Sequence, residues 1–191
     1  MITPRLFPRA AIRICAAMCP VRVLLPTLLA TILLAAAPPA WAQSRPTVKS
    51  DGPKSIGTFQ DWQAATHTEG GQPVCYALTR AKPAGALPGR GEVVLTVTQR
   101  PTLRDAVAIS AGFAYAANAE VKVEAGQAKL DFYTAQRSAF ARSGPAAVAA
   151  FTKAAHALAT SPGPRGPVAD TFSLKGFSAA YAAINKACPP K

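Results

Sequence analysis

The chain has 191 residues, a formal net charge of +12, 50% hydrophobic residues and only 16% charged ones. That apolar content excludes a disordered polyelectrolyte, and no basic motif interleaved with aromatics points to nucleic acid. The positive balance favours anionic partners such as phospholipid, lipopolysaccharide or acidic glycans.

Residues 1–42 read as a cleavable secretory signal. They hold Arg5, Arg9, Arg13 and Arg22, no acid, and an apolar run over Val23–Ala37. The run is shorter than the roughly 20 residues a membrane span needs. Ala40 and Ala42 form the small-x-small pattern that signal peptidase accepts, so cleavage is expected between Ala42 and Gln43. Met18 is an alternative start that would leave a more compact signal. Cys15 and Cys19 do not sit in a lipobox-like setting. Cleavage removes four arginines and lowers the net charge to +8. It leaves Cys75 and Cys188, an even pair in an oxidising compartment, so a disulfide between them is expected. Two free thiols or an interchain bond are the alternatives.

Residues 43–55 are polar, with Gly52 and Pro53, and read as a flexible lead-in. One domain over 56–188 follows. Phe59–Ala64 reads as a first strand anchored by Trp62, Gly70-Gly71 as a turn, and Val74–Thr79 as a strand carrying Cys75. The Pro/Gly-rich stretch 81–91 is a loop. Glu92–Gln99, rich in valine and threonine, is the clearest strand. Asp105–Ser110, Glu120–Glu124 and Lys129–Thr134 are further strands, the last two joined at Gly126. Pro145–Leu158 is alanine-rich with apolar residues at helical spacing and predicts a helix. Residues 161–167 read as a loop, Val168–Leu174 as the last strand, and Phe177–Ala187 as a short helix with Phe177, Tyr181 and Ile184 on one face. The sum is a mainly β domain: a β-sandwich or partly closed barrel of about seven or eight short antiparallel strands, with two short helices near the C-terminus.

Asp170–Ala180, with Ser173-Leu174-Lys175-Gly176-Phe177 at its centre, resembles the ending of the invasion-associated locus B (IalB) family of exported bacterial proteins. Phe59-Gln60-Asp61-Trp62 is similar to that family's F-x-D-W segment. Val74-Cys75-Tyr76-Ala77-Leu78 resembles its cysteine-bearing strand. Gly112-Phe113-Ala114-Tyr115 is similar to a G-Y-P-F region, with Ala114 in place of the proline. The further central cysteines of many members are absent. The resemblance implies a β-rich periplasmic or secreted domain and supplies no catalytic residues.

Little chemistry stands out. His67 and His156 lack neighbours at metal-ligand spacing, so no metal and no cofactor is expected. No serine lies in a nucleophile-elbow motif. Asp61 beside Trp62 reads first as a turn residue next to a core anchor. Gly176 is expected at positive φ between strand and helix. Lys175, just before a helix N-terminus, is a candidate anion ligand. Arg80, Lys82, Arg90, Arg100 and Arg104 fall at loops or strand ends and are expected to form one electropositive rim. The reading is an exported, non-enzymatic cell-envelope protein, a monomer or weak oligomer, that binds an envelope or host-surface partner of anionic character. The alternatives are a small periplasmic hydrolase with a dispersed site, or an accessory or inhibitor of another envelope protein.

Overall fold

The structure, a computed structural model, describes residues 52–82 and 87–190. The signal segment, the cleavage point and most of the lead-in lie outside the described residues.

Among the described residues, ten strands and two helices follow in chain order. Strands β1 (Lys54–Phe59), β2 (Trp62–Glu69) and β3 (Gln72–Lys82) form a meander. The Glu69-Gly70-Gly71-Gln72 turn closes its second hairpin, with both glycines at positive φ, as a tight hairpin turn requires. Then come β4 (Val94–Gln99), β5 (Ala106–Ser110), β6 (Glu120–Ala125), β7 (Ala128–Ala135) and β8 (Ser138–Ala141). Helix α1 (Gly144–Phe151), β9 (His156–Gly163), β10 (Gly166–Ser173) and helix α2 (Phe177–Ala187) complete the described order.

Eight strands close on themselves in the order β3-β10-β9-β6-β7-β8-β5-β4, with β4 returning to β3. All pairings are antiparallel. β3 is long enough to serve twice on one edge. Its Gln72–Leu78 part pairs with β2, and Ala81 and Lys82 pair with Phe172 and Thr171 of β10. β1 and β2 therefore extend from the barrel as a flanking wing.

An eight-stranded barrel is just wide enough for its own side chains to fill it. Leu95 and Val97 of β4, Val107 and Ile109 of β5, Val121 and Val123 of β6 and Phe132 of β7 are all buried and point inward. Small residues stand across from large ones: Ala157 pairs with Phe172, and Ala139 with Ile109. The wing buries its apolar face under α2, where Trp62 lies 4.9 Å from Phe177. Phe177 also meets Phe151 of α1 edge-on at 5.7 Å. Cys75 of β3 and Cys188, the residue that ends α2, are disulfide-bonded across 113 residues.

Four expectations need correction. The expected strand Phe59–Ala64 is two strands around a two-residue turn at Gln60 and Asp61, where Gln60 takes a left-handed φ of 53° and Phe59 pairs back onto Trp62. Lys54 and Ser55, read as the end of the lead-in, open a strand that runs to Phe59. The expected helix Pro145–Leu158 stops at Phe151, where Thr152 caps it. Its tail and the expected loop 161–167 are the two arms of the β9–β10 hairpin, in which Ala157, Ala159 and Ser161 alternate inward. β8 has no counterpart among the expected strands.

Candidate functional site

One candidate contact surface lies where the wing meets the end of β3. Its geometry starts from two backbone constraints. Gly176 has φ +86°, and a Cβ placed there would stand 1.9 Å from the Phe59 carbonyl oxygen. Only glycine allows that approach. The Trp62 indole N–H donates to the Ser173 carbonyl at 2.9 Å, and the Asp61 N–H donates to the Lys175 carbonyl at 3.4 Å. The β1–β2 turn and the β10–α2 connection are thereby clamped together, although more than a hundred residues separate them.

Beside this clamp lies a groove of about 270 Å³. Its charged walls are Asp61 from the turn and Arg80 and Lys82 from the end of β3, with Gln60, Gln63 and Thr58 adding neutral polar groups. Thr79 fixes the turn by donating from its hydroxyl to the Asp61 carbonyl at 2.8 Å. Arg80 is paired with Glu92 at 3.2 Å, both exposed, a contact worth under about 1 kcal/mol. The Asp61 and Lys82 side chains have no partner among the described residues. Thr58, Gln63 and Leu78 also line a second groove of about 360 Å³ that runs on toward Ser55 and Tyr76.

The six expected anion ligands are not brought together. Arg90 turns into the barrel mouth. It makes a bidentate pair with the buried Asp170 at 2.9 and 2.7 Å, donates to the Ala111 carbonyl at 2.8 Å and lies over the Phe113 ring. Gly112 holds the same corner at φ +75°, where a Cβ would strike the Gly91 carbonyl oxygen. Tyr115 and Ser161 place their hydroxyls 3.2 Å apart beside it, and burial raises the Tyr115 phenol above its ordinary value. Arg104 ties down the C-terminal end of α2, donating to the Cys188 carbonyl at 2.7 Å and to the Asn185 side chain. Its neighbour Asp105 accepts from Gln99 and Tyr181, each at 2.6 Å. Arg100 pairs with Glu69 at 2.8 Å in a separate groove of about 480 Å³. Only Arg80 and Lys82 share a groove, with the exposed Lys175 joined to it through its backbone. The expected rim of five therefore resolves into two cations of this groove, two structural ones and Arg100 in a groove of its own.

His67 lies within β2 against the Tyr76 ring, and His156 opens β9. No group of three metal-ligating side chains occurs among the described residues. Gln60, Gln63 and Thr58 were not singled out by the sequence. The signal available was alternation: Trp62 and Ala64 inward leaves Gln63 outward.

The family model for the invasion associated locus B (IalB) protein matches residues 62–185. The chain belongs to the invasion associated locus B family. The match takes in Trp62, Cys75, Gly112 and the Ser173–Phe177 segment; Phe59 and Asp61 precede it and Cys188 follows it. The fold also matches the crystal structure of invasion associated protein B from Bartonella henselae, with a TM-score of 0.51 at 17% identity over 70% of this chain and 96% of that one. At that identity the likeness concerns the family's fold alone. No curated protein matches the chain.

Proposed function

We propose that the protein is exported and works in the cell envelope as a non-enzymatic binding module, with the groove between the β1–β2 turn and the end of β3 as its contact site. The observation that carries this reading is the convergence of Asp61, Arg80 and Lys82 on one exterior groove built against the Ser173–Phe177 segment. The polar residues of the interior support it from the other side. Asp170, Ser161 and Gln99 are buried and each is bound to Arg90, Tyr115 or Asp105. Recognition is therefore left to the outside of the barrel. Export rests on the Arg-rich start, the apolar run and the Ala40-x-Ala42 pattern. Cell fractionation with intact-mass measurement is the test. A periplasmic or secreted species starting at Gln43 that sediments with envelope fractions supports the reading, and a full-length cytoplasmic species contradicts it.

A further inference from the structure

We propose that this groove takes a zwitterionic group: a primary ammonium a few bonds away from a carboxylate or phosphate. The proposal rests on the groove being the contact site and adds the chemistry of its ligand. Of the eight acids among the described residues, six bind a basic or polar side chain: Glu69, Glu92, Asp105, Glu120, Asp131 and Asp170. Asp61 does not, and neither does Glu124 on the exposed face of β6. Asp61 differs from Glu124 in facing a groove that also holds an unpaired cation, Lys82. Opposite charges that line one groove without pairing leave a gap that a ligand of the complementary pattern can fill.

The charge balance selects that pattern. Counting Glu92 with Arg80, the groove is neutral. A bare anion drawn to Lys82 and Arg80 meets repulsion from Asp61, and a bare amine meets the reverse. A ligand with both signs satisfies each wall. The volume of about 270 Å³ lies just below the range of about 300–1,000 Å³ for drug-sized ligands, which suits one amino acid or one headgroup. Leu78 gives the spacer an apolar surface, and the amides of Gln60 and Gln63 supply neutral donors and acceptors.

The experiment titrates the isotope-labelled mature chain with phosphoethanolamine and with β-alanine, following amide shifts. Inorganic phosphate, ethanolamine and phosphocholine, whose trimethylated nitrogen cannot donate, are the controls. Shifts are expected around Gln60–Gln63, Thr79–Lys82 and Ser173, with affinity at least tenfold above any control. Asp61→Asn should weaken the zwitterions tenfold while leaving phosphate binding intact or stronger; Lys82→Gln should weaken both. Phosphate binding as tight as phosphoethanolamine, an Asp61→Asn variant that binds normally, or shifts centred elsewhere would each overturn the proposal. Retention on phosphatidylethanolamine vesicles together with the soluble response places the group on a lipid. A soluble response without retention supports a free small molecule, and absence of both refutes the idea. Envelope binding that survives Asp61→Asn but is lost in Arg80→Gln/Lys82→Gln would sink the zwitterion and leave the contact site standing.

Discussion

At Gly176 a single hydrogen does structural work that no side chain can replace. The left-handed φ and the 1.9 Å approach to the Phe59 carbonyl both forbid a Cβ. Gly176→Ala is expected to cost about 2–4 kcal/mol, a fall of roughly 5–15 °C in Tm for a domain of this size. An unchanged Tm would contradict the clamp between the two segments. The Arg90–Asp170 pair is the second sensitive point. Asp170→Ala leaves the guanidinium in the barrel mouth without its counter-ion, and such losses cost about 3–5 kcal/mol, to be read from urea midpoints at constant slope. Tyr115 beside it, raised by burial, sets a pH dependence. Its phenol stays protonated longer in the folded state than in the unfolded one. The stability it contributes is complete below the ordinary tyrosine value of 10.0 and is lost as pH rises past it. Tyr115→Phe should flatten that alkaline limb, while an identical limb in the variant would assign it elsewhere.

At the scale of elements, hydropathy patterns reveal whatever alternates cleanly. Glu120–Ala125 shows charged residues out and Val121 and Val123 in, and the strand lies where the pattern puts it. Phe177–Ala187 is legible for the same reason, because Phe177, Ala180 and Ile184 share the buried face. The β9 strand is hidden by its alanines. Inside a narrow barrel Ala157 and Ala159 are small because Phe172 and its neighbours fill the space opposite. In isolation the same alanines favour a helix. Ala157→Leu separates the two readings. A leucine suits a helix, but in the barrel it collides with Phe172, so a loss of about 1–3 kcal/mol is expected. A neutral or stabilising effect would argue against β9. The groove was legible only in part. Arg80 and Lys82 stood out by charge, whereas Gln60 and Gln63 carry no charge and no motif, and which cations turn inward depends on partners eighty residues away.

For the molecule as a whole, the disulfide joins the barrel to the end of α2 over a span of 113 residues. In the chain-entropy model a loop of that length contributes about 4–5 kcal/mol, and removal of a native bridge typically costs about 2–5 kcal/mol. Cys75→Ser/Cys188→Ser should therefore unfold at much lower urea, and reductant should do the same to the wild type. The exposed network of Glu120, Lys122, Asp131 and Arg142 holds both carboxylates below their ordinary values. Its effect is present above the ordinary carboxylate range, is lost as pH falls through it, and should fade in salt. The functional proposal is decided on the groove itself. Binding of the mature chain to envelope fractions is measured at low and moderate salt, for the wild type and for Arg80→Gln/Lys82→Gln. Lys82 and Arg80 line the wall that meets the anionic end of the bound group, and a hydrogen bond to a charged group is worth about 1.5–3 kcal/mol, so the double variant should bind at least about tenfold more weakly, show a weaker salt dependence and keep its melting temperature. Envelope binding that is equally strong and equally salt-dependent in both proteins would contradict the groove as the contact site.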